Sequence, residues 1–559
     1  MDTKKLVSEI IKIDGVDSNA IFDLLSIPPK QEMGDFALPC FSFAKIQKCA
    51  PNMVAEKIAK TLENDKLIDH TEIVNGYLNI YLNKQIVLSQ IVDELYEKKS
   101  LSTNTTGKGK KMCIDFSSVN IAKEPHIGHF FSTVVGASVA RLFEASGYKV
   151  VRMNYLGDYG SQFAKLVYGF MVWSSEEEIK KGGVGALQQI YIKANEVCKT
   201  DPKFLEECRN TFKKMEEKDP EILRIYEWFK KISIEESQNV LFKPLGLKFD
   251  DWRGEGFYSQ FTDEALAELE QKGLSKPSQG ATIVDLEPYG LGVALVRQSN
   301  GTTLYCTRDI AAALHRHKEY NFDVCVWVTG QEQALYFKQL FKILELMGYE
   351  WSKGLIHITN GRVRTPEGRL SSRLGNVALA KDIISDAIKK ASEIIEARTG
   401  KKADKNLAKD IGLGALTFSL LKADVSKDSV FVLEDALNFD GETAPYVMYT
   451  HARCASILSK AKIDGDCDYS AILESSWELV KLLNNFNASV LLAQQKNDPS
   501  IVTKYAISLA TVFNKFYHDT KIICDDKKKM NAGLKIVEIT KRVLKEALAL
   551  LGINAPDKM

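Results

Sequence analysis

The stretch Asn120-Ile-Ala-Lys-Glu-Pro-His-Ile-Gly-His129 decides the reading of this chain. Ahead of it, Lys111-Met-Cys-Ile-Asp-Phe116 reads as a buried strand. Behind it, Phe130 to Ser146 has helical spacing and is closed by Gly147. The tetrad His126-Ile-Gly-His129 therefore falls on a strand-to-helix turn. Backbone N–H groups point outward from such a turn, and the helix dipole favours anions there. Gly128 lets a planar ring approach the backbone closely. The chemistry that fits is charge stabilisation. His126, His129 and the Lys123 ammonium can hydrogen-bond phosphate oxygens as charge builds during displacement at phosphorus. Taken singly, each histidine also suits a surface helix cap.

Working outward, residues 111–175 run strand–helix–strand, the first half of a parallel nucleotide-binding sheet. Residues 176–250 are rich in Glu and Lys at helical spacing and read as a helical insertion. Strand signals return at 281–307, with Asn300-Gly301 as a hairpin turn. A helix from about 309, a strand at Val324–Val328 and a helix from about 332 to 347 resume the α/β core. From about 380 the chain is nearly all helical, and the amphipathic segments Tyr446–Lys460, Ser475–Gln495 and Lys535–Leu551 predict a bundle. At the other end, helical segments bracket Ile27-Pro-Pro-Lys-Gln-Glu-Met-Gly-Asp35, and Gly76 to Leu82 alternates like a strand. The polar run from Ser100 to Lys111 reads as a linker. The expected fold is an α/β Rossmann-type catalytic core with a helical insertion, an N-terminal α+β domain and a C-terminal all-α bundle. The expected boundaries are 1–105 for the first domain and 106–380 for the core, of which 176–280 is mostly insertion. A helical connection follows at 381–439, and the bundle occupies 440–559.

Composition narrows the class. With 559 residues the chain has room for about three domains. A net charge of +1 does not announce a nucleic-acid binder, although local basic surfaces stay open. The ten cysteines are scattered without C-x-x-C or zinc spacing, which suits reduced core residues of a cytoplasmic protein and no metal site. The N-terminal residues carry neither a signal-peptide apolar region nor a transit-peptide pattern, and no segment is long and apolar enough to span a membrane.

A second polar cluster lies far downstream, Glu367-Gly-Arg-Leu-Ser-Ser-Arg-Leu-Gly-Asn376. Its arginines and hydroxyls can neutralise a polyphosphate from the opposite side. Such a loop, closing over ATP, would bring Ser371, Ser372 and Arg373 to the triphosphate, with Arg373 on the leaving pyrophosphate.

These two motifs in this order resemble the class I aminoacyl-tRNA synthetases. The long form Asn120–His129 is similar to that of arginyl-tRNA synthetases, as are Asn154-Tyr-Leu-Gly-Asp-Tyr-Gly-Ser-Gln162, Thr303-Leu-Tyr-Cys-Thr-Arg-Asp309, Thr443-Ala-Pro-Tyr-Val-Met-Tyr-Thr-His-Ala-Arg453 and the ending Leu551-Gly-Ile-Asn-Ala-Pro-Asp-Lys-Met559. The likeness spans essentially the whole chain. It implies an arginine–tRNA ligase used in translation. Arginine is activated with ATP to arginyl-adenylate and transferred to the 2′-hydroxyl of the terminal adenosine of tRNA(Arg), and activation itself can require bound tRNA. It implies Lys123, His126, Gly128, His129 and Arg373 as catalytic residues, and His126, His129, Ser371, Ser372 and Arg373 as ATP contacts. Arg369-Leu-Ser-Ser-Arg373 lacks the lysine usual in the class, a loss this subfamily shares and one that Lys123 is thought to offset.

A guanidinium is planar with five donors and calls for in-plane carboxylates. The resemblance gives that role to Asp309, Glu255 and the Tyr305 hydroxyl, with Ser118, Asn120 and Gln333 at the substrate's amino and carboxylate ends. Asp158 and Gln162 would line the same space. Asp309 also suits a helix start, and Glu255 a solvated loop. The implied partners are tRNA(Arg), L-arginine and ATP with Mg²⁺ as a substrate complex, with no tightly bound cofactor, no membrane and a monomeric chain. The bundle resembles an anticodon-binding domain and the first domain one that touches the tRNA elbow. There Phe36 and Tyr77 could stack on bases or simply pack. A cysteinyl enzyme of the same class would need a Cys/His zinc set that this chain lacks. A silent tRNA-binding protein would not need the intact tetrad. A small-molecule nucleotidylyltransferase would be shorter and lack the helical C-terminal third.

Overall fold

A computed structural model describes residues 3–299, 303–365, 368–369 and 378–559. The first domain is an antiparallel sheet of β1 (Phe36–Pro39), β2 (Ile68–Val74) and β3 (Tyr77–Leu82) in the order β1-β3-β2, backed by helices. Asn75 and Gly76, both at positive φ, close the two-residue hairpin between β2 and β3, as its twist requires. Phe36 is core, whereas Tyr77 stays 42 % exposed with its ring edge-on to Phe41.

The α/β core is a parallel sheet of β4 (Lys111–Asp115), β5 (Lys149–Met153), β9 (Val324–Gly330) and β10 (Leu355–Asn360), ordered β10-β9-β4-β5. Between β5 and β9 the chain forms a separate antiparallel sheet of β6 (Ser275–Ser278), β7 (Ala281–Asp285) and β8 (Val293–Arg297). The Asn300-Gly301 turn lies outside the described residues; an antiparallel bridge from Arg297 to Thr303 flanks it. From β4 one half of the core runs to β5 through the helix Ile127–Ala145, and the other half lies on β9. The carboxyl ends of β4 and β9 therefore border the crevice where such sheets bind ligands.

The insertion is three helices, Glu176–Thr200, Pro202–Glu216 and Pro220–Ser237. The last two begin alike: Asp201 and Asp219 accept backbone N–H bonds as caps, and a proline takes the first helical position. The C-terminal bundle contains Lys405–Leu421, Ala444–Leu458, Leu473–Asn484, Phe486–Lys496, Ser500–Asp519 and Lys527–Leu550. Here one expectation is corrected. Ser475–Gln495 is not one helix but two, parted at Asn485, so that each buries its own apolar face. Lys535–Leu551 in turn extends back to Lys527 under an Asp526 cap.

The polar run after Ser100 is also more than a tether. The Glu546 carboxylate accepts from the Leu101 and Ser102 amides and from both the Ser100 and Ser102 hydroxyls. The neighbouring Asp93 pairs with Lys535 at 2.8 Å, and Arg542 donates to the Leu95 and Tyr96 carbonyls. The first domain is thus fastened to the last helix. One apolar cluster runs through Val92, Val135, Leu142 and Leu548, joining first domain, core and bundle.

Glu546→Ala leaves the Leu101 and Ser102 donors without their acceptor, at a cost of about 1–3 kcal/mol per buried group. Hydrogen exchange at these two amides is expected to speed up by roughly tenfold or more while helix content is retained. Unchanged protection would mean that the clamp contributes nothing.

Candidate active site

The loop from β4 to the first long helix carries unusual backbone: Ser117, Ser118 and Ala122 all have positive φ. Such residues persist only where surroundings hold them. Several contacts do so. Ser118 donates to Asp115 Oδ1 at 3.1 Å, Ser117 N–H donates to Ser132 Oγ at 3.1 Å, and Ala122 N–H donates to Ser233 Oγ at 2.9 Å.

The loop ends in the histidine pair. His126 is the N-cap of Ile127–Ala145, and its Nδ1 accepts from Gly128 N–H at 3.1 Å. His129 Nδ1 returns the favour by accepting from His126 N–H at 3.1 Å, a capping box built of two imidazoles. The rings stack at 3.7 Å. Because each Nδ1 is an acceptor, each ring carries its proton on Nε2, and both Nε2–H groups are left as donors. Burial and then the nearby Lys123 charge push His126 down to about 4; burial, His126 and Lys123 push His129 well below its usual value. Both are neutral donors at neutral pH. Lys123 itself is exposed on the loop. A Cβ on Gly128 would stand 3.0 Å from His126 Cε1, so a side chain there would press on the ring of the cap.

The segment that follows the downstream loop lies alongside. Ile127 N–H donates to the Ala378 carbonyl at 3.1 Å, Ala380 N–H donates to the Pro125 carbonyl at 2.9 Å, and Lys381 pairs with Glu124 at 2.5 Å. Ser371, Ser372 and Arg373 lie outside the described residues.

A cluster of acids, tyrosines and arginines sits at the same end of the sheet. Asp309 lies in the second turn of the helix Tyr305–Tyr320, not at its start. The Tyr336 hydroxyl donates to Asp309 Oδ2, and burial raises this carboxyl. Glu255 opens the short helix Glu255–Tyr258 and pairs with Arg308 at 3.1 Å, so it is no solvated loop acid. Burial drives the Glu255 carboxyl up to about 7, with Arg308 opposing and Asp309 and Asp158 adding to the rise. Tyr305 is 55 % exposed, its ring edge-on to Tyr336. Gln333 is exposed in the turn after β9. Asn120 sits against Gly157, where a Cβ would come within 1.9 Å of its Oδ1. Gln162 and Lys123 border a small crevice with Asn120. Asp158 is wholly taken up by structure: Oδ1 accepts from Gly256 N–H at 2.8 Å and Oδ2 pairs with Lys230 at 2.7 Å.

Sequence reasoning missed several members of this cluster. Tyr336 is one, and Tyr155, whose buried hydroxyl has no hydrogen-bond partner among the described residues, is another. Arg308 and the fully buried pair Arg316–Asp115 at 2.8 Å are the others. Tyr155 and Arg308 stand inside the quoted motifs, a signal that position alone offered. Among the described residues no group of three or more His, Cys, Asp or Glu is arranged to hold a metal.

A parallel-sheet core whose first strand leads to this histidine cap defines a class I aminoacyl-tRNA synthetase. Residues 90–433 match the family described as tRNA synthetases class I (R), catalytic domain. Residues 3–82 match the arginyl tRNA synthetase N-terminal domain, and residues 447–559 the DALR anticodon binding domain. The arginine–tRNA ligase of Clostridioides difficile (strain 630) is 40% identical over 566 residues, covering 100% of both chains. The Thermus thermophilus arginyl-tRNA synthetase superposes with a TM-score of 0.80 at 23% identity over 100% of both chains. The Plasmodium falciparum arginyl-tRNA synthetase gives 0.76 at 20% identity, covering 96% of this chain and 94% of that one. The chain belongs to the arginyl-tRNA synthetase family, the enzymes that charge tRNA with arginine for translation.

Gly128→Ala tests the histidine cap directly. The added methyl would press on the His126 ring and shift it by a few tenths of an ångström; where about 1 Å costs on the order of 10²-fold, that shift should cost roughly several-fold in rate. The expected outcome is that loss in tRNA-dependent ATP–pyrophosphate exchange with an unchanged circular dichroism spectrum. Full activity would mean the ring position is not critical.

Proposed function

We propose that this arginine–tRNA ligase uses the histidine cap for the phosphates and the Asp309–Glu255 cluster for the guanidinium of arginine. The observation that carries this is a buried carboxylate, Asp309, raised by burial and lowered in part by the neutral hydroxyls of Tyr336 and Tyr155, beside the exposed Tyr305 and at the same sheet edge as His126 and His129. A buried acid without a cation raises its own protonation; a guanidinium in its plane supplies the missing charge. Tyr305 would close over the guanidinium, while Asn120, Ser118 and Gln333 take the amino and carboxylate ends.

In the first step a carboxylate oxygen of arginine attacks the α-phosphorus of ATP. The bond to the bridging oxygen breaks, and pyrophosphate leaves. The two neutral Nε2–H donors and the Lys123 ammonium meet the charge that builds on the phosphate oxygens, without a covalent enzyme intermediate. Arg373, Ser371 and Ser372 approach from the other side; the tie between Ala378 and Ile127 supports this, since the loop's end is held next to the tetrad. Mg²⁺ accompanies ATP as part of the substrate. The terminal 2′-hydroxyl of tRNA(Arg) then attacks the activated carbonyl, and AMP leaves. The enzyme needs no tightly bound cofactor in this scheme and works as a monomer, because one chain supplies both halves of the site. Its ten unpaired cysteines suit the cytoplasm, and no described helix is long and apolar enough to cross a membrane.

Asp309→Ala should raise the KM for arginine by at least about 10²-fold and leave that for ATP within a few-fold, since a charged hydrogen-bonded partner is worth roughly 3 kcal/mol or more when lost. Tyr336→Phe should give a smaller rise, about tenfold. Both are read from steady-state aminoacylation. Arginine kinetics unaltered in Asp309→Ala would sink the pocket.

A further inference from the structure

Arg308 lies next to Asp309 in sequence but serves a different acid. Its Nη2 reaches Glu255 Oε2 at 3.1 Å, its guanidinium lies over the Tyr159 ring at 5.1 Å, and its side chain is 11% exposed. Its Nε is buried without a partner among the described residues. This is a nearly buried guanidinium with one carboxylate oxygen, in a site for guanidinium. The contact is to Oε2 alone, whereas a substrate fork would take a carboxylate in its plane through two bonds.

The charges around Glu255 can be counted element by element. From the helix Tyr305–Tyr320 come Arg308 and Asp309. From the loop after β5 comes Asp158, already paired with Lys230 of the insertion. Tyr155, Tyr159 and Tyr226 are neutral neighbours. Arg316 is spent on Asp115. Two acids, Glu255 and Asp309, therefore stand against one unspent cation, Arg308, which leaves a net charge of about one for one incoming monocation.

We propose that Arg308 is a specificity-setting residue that stays in place on Glu255 Oε2, favours the ionised form of that carboxylate and leaves its other oxygen for the substrate. Arg308 thereby fixes the charge of the pocket to match arginine. This rests on the reading that Glu255 receives the guanidinium. Without Arg308 the two acids would face each other, and one would take up a proton.

The sign follows from Glu255, whose carboxyl already stands near 7 with Arg308 opposing the rise. Arginine needs the ionised form, so kcat/KM for arginine should fall as pH drops through that value in the free enzyme. Arg308→Gln removes the opposing charge, and the acid limb should move up by about one to three pH units. At pH 7 this gives roughly a tenfold or greater loss that recovers toward pH 9. Arg308→Lys keeps the charge, and its limb should stay within about half a unit of the original. Aminoacylation of tRNA(Arg) from pH 6 to 9, with arginine varied, reads all three. A loss in Arg308→Gln that is equal at every pH overturns the proposal, as does an Arg308→Lys limb that moves by more than a unit. The lysine variant decides if the glutamine variant does not fold. Glu255→Gln separates the two levels: an unchanged KM for arginine there removes the reading beneath, whereas a large rise there with an unmoved limb in Arg308→Gln removes this inference alone.

Discussion

The buried pair of Arg316 with Asp115 is the contact on which the site depends. Asp115 ends β4, and its carboxylate gathers three donors: Arg316 Nη2 at 2.8 Å, Ser118 Oγ at 3.1 Å and Tyr155 N–H at 3.3 Å. Each comes from a different part of the site, respectively the helix of Asp309, the strained loop before the histidines and the loop after β5. Burial pushes the Asp115 carboxyl up, but a guanidinium cannot give up its charge, so the pair persists as ions. Arg316 fills the space left under the site by lying among the Tyr155, Tyr258 and Trp327 rings at 5.0, 5.5 and 6.0 Å. Breaking such a pair by removing one partner costs about 3–5 kcal/mol because the other charge stays buried. An acceptor fixed so firmly helps hold Ser118 at positive φ, while Ser132 and Thr133 hold Ser117.

The same economy of charge runs through both halves of the site, with opposite results. At the histidine cap the protein supplies neutral donors, since burial and Lys123 keep both imidazoles unprotonated. A nearby anion would favour their protonation. Around Asp309 and Glu255 it places acids whose ionisation burial makes costly. A cation entering there would relieve that cost.

What the sequence made legible was local. The tetrad, the helical spacing of the insertion and the strand β3 are each written within a few residues, and the folding follows them. The acidic cluster was legible only through motifs, because what makes Asp309 a buried acid is Tyr336, 27 residues on, and what orders Ser118 is an ion pair across 201 residues. No periodicity encodes such partners. The break at Asn485 was hidden for a related reason: both flanking helices keep apolar spacing through it, and only the packing of Trp477 and Leu483 on one side and Val490 on the other turns one pattern into two rods. The run from Ser100 read as a linker by composition, yet Glu546, far along the chain, claims its amides.

The helix Ile127–Ala145 carries the final consequence. Its first turn presents the histidine pair, and further along Ser138 Oγ donates to the Leu550 carbonyl at 3.0 Å, at the end of the last bundle helix. Gly552 lies so close to Arg141 that a Cβ would come within 2.6 Å of its Nη1. Arg141 itself is half-buried, with desolvation and Arg152 pulling its guanidinium down to about 10, so it remains charged at neutral pH against the bundle's final turn. A 19-residue helix is a rod of roughly 28 Å, stiff over its own length. One end of that rod therefore holds the histidine pair, and its flank is seated on the bundle that matches the DALR anticodon binding domain. The bundle cannot turn relative to the sheet without either carrying this helix along or breaking the Ser138–Leu550 bond and the apolar contacts of Val135 and Leu142. The position of the two imidazoles is in that sense set jointly by the strand before them and by the C-terminal bundle.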